Sequence, residues 1–206
     1  MDKIIILGHG GTGRELGNLI QTDTHIKHIG YLDDSLSHKA VLGKLCQHKD
    51  FTEPGVLFCS GLANYKNMAF RRQYLSKIPS NNIYNFIYSN VVLYDTCKYD
   101  NGIVCFPNSV LSYNTQIGTH CLIYHGAIIS HDVIIGDYSI ISNGAVISGS
   151  VHIGENCYIG AGAVINENLT IGANSIIASN ATVYVDVPEK SIYITKDKVL
   201  PNKYIK

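Results

Sequence analysis

Two histidines stand six residues apart in LIYHGAIISHDVIIGDYSII, Leu122 to Ile141: His125 and His131, the second followed directly by Asp132. An imidazole titrates near neutral pH, so either ring is suited to take a proton from an attacking amine or hydroxyl. A second constellation lies at the front of the chain, where KIIIL (Lys3 to Leu7) runs into GHGGTGRELGNLI. Gly8, Gly10 and Gly13 fit GxGxxG, a turn whose glycines let the backbone approach a phosphate at the positive end of the following helix. An acid about 20 residues further on can bind a sugar hydroxyl. Asp33 and Asp34, after HIGYL, occupy that place.

The elements that must position the histidines follow from a six-residue period. Counting in sixes from Ile117, isoleucine recurs without a slip to Ile177, and Val183 closes the series. A 3.6-residue helical period would scatter these side chains, whereas a six-residue period places each in the same inward position on successive short strands. Four residues after each anchor comes a second small or branched residue, as in Cys121, Ala127, Val133, Ser139 and Ala145. Ile-Gly pairs at 117, 135, 153 and 171 superimpose an 18-residue period. Three hexapeptides per coil make a triangular prism of parallel strands, its coils stacked about 4.8 Å apart. Weaker anchors at Leu111, Cys105, Tyr99, Leu93 and Ile87 carry the register back, so the prism is expected over 87–188. His125 and His131 then fall near different corners and need not cooperate.

Residues 1–86 read as a small α/β unit of βαβ type, with a further strand, GVLFCS (55 to 60), leading through Gly61 into a helix bearing Lys66, Arg71 and Arg72. A nicotinamide-dependent oxidoreductase needs a second mononucleotide-binding half and a catalytic domain, yet the repeat takes over after about 85 residues. The unit is therefore expected to grip one nucleotide, such as the uridine diphosphate of a nucleotide sugar.

Sixteen basic residues balance sixteen acidic ones, which points away from nucleic acid and anionic membranes. No apolar run approaches the roughly 20 residues of a membrane span, and no charged-then-apolar leader opens the chain. The six cysteines include no CxxC pair and suggest neither a metal site nor disulfides, so a soluble cytoplasmic protein with reduced thiols is expected. From Tyr99 to Glu189 there is no Lys or Arg. Positive charge returns in the tail, 189–206, with Lys190, Lys196, Lys198, Lys203 and Lys206.

The long unbroken repeat resembles the hexapeptide-repeat acyltransferases, which fold as a left-handed parallel β-helix; the handedness comes from the resemblance, not from the period. With its α/β front, the whole chain resembles one branch, the bacterial sugar acetyltransferases that modify nucleotide-linked 4-amino sugars, together with their sialic-acid O-acetyltransferase relatives. The resemblance implies an α/β Rossmann-like nucleotide-binding unit followed by the β-helix. It implies acetyl-coenzyme A as cosubstrate, no metal, and homotrimers in which acceptor and coenzyme meet in clefts between neighbouring prisms.

Residue by residue, the resemblance gives the nucleotide sugar to Gly10, Gly11, Thr12, Asp33, Asp34 and Gly61, with Thr12 where the branch usually has histidine. ISHDV matches the motif of the family's base, selecting His131, with Asp132 orienting the ring. Gly149, 18 residues on, takes the role of oxyanion donor through its backbone N–H. Coenzyme contacts map to Ile140, where the branch often has histidine, and to the backbone near Ala161 and Ser179. Lys196 and Lys198 are expected to meet the coenzyme phosphates. The activity so implied is N-acetylation of a nucleotide-linked amino-deoxy sugar by direct attack, without a cysteine acyl-enzyme, for surface polysaccharide or glycan biosynthesis. O-acetylation of a sialic-acid-like sugar and a catalytically silent nucleotide-sugar-binding β-helix are the alternatives.

Overall fold

A computed structural model describes residues 2–23, 26–35, 38–51, 53–195 and 198–203. The front unit is a four-stranded parallel sheet in the order β3-β2-β1-β4, built from β1 (Lys3–Leu7), β2 (Lys27–Leu32), β3 (Val41–Gly43) and β4 (Val56–Ser60). Its central strand is the apolar run Ile4, Ile5, Ile6 and Leu7, fully buried because both faces of a parallel strand are covered. Helix α1 (Gly11–Asp23) buries Leu16 and Ile20, one turn apart on its inner stripe; helix α2 (Met68–Leu75) buries Met68, Arg71, Tyr74 and Leu75. Gly13 is required by packing: a Cβ there would run into the carbonyl oxygen of Gly8, so only glycine lets α1 start this close to the end of β1.

From Phe86–Ile87 onward the chain winds as a three-sided prism of two-residue parallel strands, each paired with the strand 18 residues later, as in Leu122↔Ile140 and Ile123↔Ile141. Ile117 to Val183, every sixth residue, form its buried axis, lined also by Cys121, Ala127, Val133, Ala145, Val151, Cys157 and Ala163. Tyr99, the inward residue of the first coil, is exposed at the prism's open lower end. From Asn108 to Asn180 each corner is turned by one residue at positive φ. Asn108, Asn114, His120, Gly126, Asp132, Tyr138, Gly144, Ser150, Asn156, Gly162, Asn168, Asn174 and Asn180 all lie between 54° and 66°, again six apart. Asn, Asp and Gly adopt this conformation at least cost, which accounts for most of these positions.

The three faces differ in their outward residues. One presents Phe86, Val104, Leu122 and Ile140, all buried beneath the front unit in a core shared with Ile4, Ile6, Leu16 and Ile20. A second presents Val92, Val110, Ile128, Val146, Val164 and Thr182, an apolar row facing outward. The third is largely polar, with Lys98, Gln116, Ile134, His152 and Thr170. Beyond the last coil, Ser191–Thr195 adds to the covered face parallel to Ile176–Ile177, and Lys198–Pro201 returns antiparallel beside it.

Candidate active site

His131 and Asp132 form the corner between the apolar and polar faces. His131 is the residue before the positive-φ position and Asp132 occupies it, which throws both side chains outward; 62% of the His131 side chain is exposed. His131 Nδ1 lies 2.9 Å from Asp132 Oδ2, and Asp132 Oδ1 accepts from Asn114 Nδ2 at 2.7 Å, one coil below. These two hydrogen bonds hold the Asp132 carboxyl below the usual carboxylate range. An ionised Asp132 fixes the proton of His131 on Nδ1 and leaves the Nε2 lone pair outward, the tautomer a general base needs. Gly149, one coil above on the same corner, has its carbonyl bonded to Asn168 N, while its missing side chain leaves room for the His131 ring.

His125 is spent on docking. It sits at the corner between the covered and apolar faces, with Nε2 3.3 Å from Glu15 Oε1 of α1 and Nδ1 3.3 Å from Asn143 Oδ1. The neighbouring Tyr124 OH shares a 2.8 Å hydrogen bond with Thr12 Oγ1, and the Tyr124 ring stacks on Phe106 at 4.8 Å. Burial pushes the Tyr124 phenol up to about 12. Thr12 and Glu15, three residues apart on one helical face, therefore pin the start of α1 to the prism.

Gly10, Gly11, Thr12, Asp33 and Gly61 line one cleft of about 390 Å³, joined by Gly8, Leu62, Ala63 and Asn64. A Cβ on Gly10 or Gly11 would meet nothing within 4 Å, so this side of the turn opens into the cleft. Asp33 accepts from His9 N and Ser35 N, both at 2.7 Å. Arg14 and His9 line the adjoining space beyond Asp33, and the His9 ring stacks on His38 at 4.5 Å. Desolvation lowers the His9 pKa, with His38 and Arg14 adding to the effect. Asp34 is not part of the cleft: its Oδ1 accepts from Leu45 N at 3.1 Å on the other side of the segment. Adjacent residues of an extended chain point oppositely, so only one of the paired acids can face the glycine turn.

Ile140 does not fit the coenzyme role expected for it. Its exposure is 0%, and it packs in the core between the front unit and the covered face. Ser179 lines a larger, mostly apolar cleft of about 500 Å³, walled by Tyr65, Tyr158, Ile176, Ile192, Ile194, Leu200 and Pro201. Ala161 lies one coil below Ser179 on the same corner. Of the tail lysines, Lys203 lines this cleft; Lys198 is exposed on the returning strand and does not line it, and Lys196 and Lys206 lie outside the described residues.

Arg71 gave no signal in the sequence beyond its charge. Only 1% exposed, it donates from Nε to Leu62 O and from Nη1 to Tyr138 O, both at 2.7 Å, and from Nη2 to His120 O. Burial lowers its pKa to about 10, which leaves it cationic at neutral pH. Next to it Arg72 reaches Glu155 Oε1 at 2.7 Å, bringing positive charge to the stretch from Tyr99 to Glu189 that holds no Lys or Arg. Among the described residues, no group of three or more His, Cys, Asp or Glu is placed to hold a metal ion, and no helix is long and apolar enough to cross a membrane.

Residues 114–149 and 150–184 match the family described as bacterial transferase hexapeptide (six repeats). The prism is a left-handed parallel β-helix, and residues 114–184 of it carry the hexapeptide repeat. The chain's two-part architecture is shared by several solved structures. The acetyltransferase domain of PglB from Neisseria gonorrhoeae FA1090 is 21% identical, with 98% of this chain and 100% of that chain covered and a TM-score of 0.85. PerB from Caulobacter crescentus, in complex with CoA and GDP-perosamine, is 18% identical over 97% of this chain and 96% of that one, with a TM-score of 0.82. WeeI from Acinetobacter baumannii AYE is 23% identical over 97% and 99%, with a TM-score of 0.76. A comparison with curated protein sequences found no match.

Proposed function

We propose that this protein is an acetyl-coenzyme A-dependent N-acetyltransferase acting on a nucleotide-linked 4-amino-deoxy sugar. The observation that carries the reading is the relay from Asn114 through Asp132 to His131, which leaves Nε2 exposed beside a glycine corner. In this reading His131 Nε2 takes the proton of the sugar amine as it attacks the thioester carbonyl, and the Gly149 N–H meets the developing oxyanion. Attack is direct. Cys121 and Cys157 are buried in the prism, their thiols pushed up to about 12 by burial, so neither is a nucleophile.

The nucleotide diphosphate is assigned to the glycine-turn cleft, at the positive end of α1, and the coenzyme to the corner of Ala161 and Ser179 with its adjoining apolar cleft. Related folds support both ligand classes: PerB was solved with CoA and GDP-perosamine, and the PglB domain also with acetyl coenzyme A. His131 stands on the corner opposite the face that its own front unit covers, so the acceptor held by one chain is offered to the base of another. The outward apolar row Val92, Val110, Ile128, Val146 and Val164 gives the prisms a surface on which to associate, as a homotrimer in this reading.

The test is release of coenzyme A thiol from acetyl-coenzyme A in the presence of UDP-, GDP- and dTDP-linked 4-amino sugars. One amino sugar is expected to turn over, and His131→Ala to lower that turnover by about 100-fold or more. Turnover undiminished in the variant would remove His131 from the role, and turnover only with a hydroxyl acceptor would replace N- by O-acetylation.

A further inference from the structure

The clefts on either side of Tyr65 share a wall. Leu62, Ala63 and Asn64 line the glycine-turn cleft, and the next residue, Tyr65, lines the apolar cleft beside Ser179. At one end of this strip Arg71 Nε holds the carbonyl of Leu62 at 2.7 Å. Along it, Asn64 Oδ1 accepts from Lys66 N at 3.0 Å, which sets the short turn Tyr65–Asn67 and with it the direction of the Tyr65 side chain. At the other end the Tyr65 ring lies on Tyr158, with centroids 5.2 Å apart and planes at 36°. Tyr158 is itself fixed on the prism, its hydroxyl accepting from Ser142 Oγ at 3.0 Å.

We propose that Tyr65 is a positioning residue that couples the two clefts, so that filling either one tightens binding in the other. The inference rests on the reading above, in which a nucleotide diphosphate enters the first cleft and coenzyme A the second. A ligand packed against Leu62 to Asn64 selects one setting of the strip, and the strip carries the ring that walls the neighbouring cleft. The second ligand then meets a wall already ordered and loses less conformational freedom on binding. Coupling of this kind is reciprocal, each ligand changing the affinity of the other by one and the same factor.

Titration calorimetry on the full chain tests this, with UDP, GDP and dTDP as probes of the first cleft and coenzyme A as the probe of the second. For the diphosphate that binds, saturating coenzyme A is expected to lower Kd by about fivefold or more, with the same factor measured in the reverse order. Tyr65→Ala is expected to bring that factor to about one, whereas Tyr65→Phe, which keeps the ring on Tyr158, retains it. Identical Kd values with and without the second ligand would overturn the coupling and leave the functional reading standing, as would a factor that survives in Tyr65→Ala. Failure of coenzyme A, or of all three diphosphates, to bind at all would instead overturn the functional reading and the coupling with it.

Discussion

A Cβ built on Gly149 would stand 2.5 Å from Cε1 and 2.6 Å from Nε2 of His131, so the imidazole occupies the space that any other residue at 149 would fill. Gly149 is not among the positive-φ residues, and alanine meets no backbone objection there. Gly149→Ala is therefore expected to displace the ring rather than unfold the corner. Acetyl transfer should fall by about 100-fold, matching loss of the base, while the melting temperature stays within a few degrees of the wild type. Full activity in this variant would mean that the ring needs no such seat.

The relay behind His131 makes a separate prediction. Asn114→Ala removes the main cause of the depressed Asp132 pKa, so the carboxyl should titrate at higher pH than in the wild type, read directly by carbon NMR of that side chain. Asp132→Asn removes the anion that selects the tautomer and is expected to lower kcat by tenfold or more. Unchanged titration in Asn114→Ala would show that the 2.7 Å contact is not held in solution.

Arg71 ties the front unit to two successive coils through three carbonyl oxygens and no carboxylate. Arg71→Met leaves the carbonyls of Leu62, His120 and Tyr138 without these donors, at about 1–3 kcal/mol for each that stays dry. Arg71→Lys places one compact ammonium where a planar fork reached three acceptors, so it should rescue only part of the loss. Urea unfolding is the measurement; a Met variant within about 0.5 kcal/mol of the wild type would refute the clamp.

His120 should give stability a dependence on pH. Desolvation, with Arg71 adding to it, lowers its pKa to about 4 in the folded protein, against 6.5 for the ordinary side chain. The unfolded chain then binds the extra proton between those values, so stability present above pH 6.5 is lost as pH falls toward 4, by on the order of 3 kcal/mol. Asn suits the positive φ of this corner, and His120→Asn should flatten that part of the stability profile. An equally steep profile in the variant would assign the dependence to other groups.

The prism could be read in the sequence because each coil repeats the same local instruction: an isoleucine inward at every sixth position and an Asn, Asp or Gly at most corners. The outward projection of His131 and Asp132 was legible for the same reason, but place in the hexapeptide fixes His125 equally, and only the resemblance of ISHDV set His131 apart. What pairs the two parts of the chain was not legible. Thr12 meets Tyr124, Glu15 meets His125, and Arg71 meets His120 and Tyr138 across separations that follow no local pattern. Ile140 illustrates the cost: its position in the repeat only says that it faces outward, and the front unit, packed on that face, turns outward into buried. Asp34 could have been set apart from Asp33 by the alternation of an extended segment alone.

The unbroken coil period also makes the prism a ruler with fixed divisions. Ser179 lies 48 residues beyond His131, which at 18 residues and about 4.8 Å per coil puts roughly 13 Å of axial height between their levels. That height cannot be tuned by one or two residues, because any insertion short of a whole coil would rotate every later side chain onto the wrong face. Lineages of this chain can lengthen or shorten the reach between His131 and the Ser179 corner only in whole steps, by gaining or losing an entire turn of the prism.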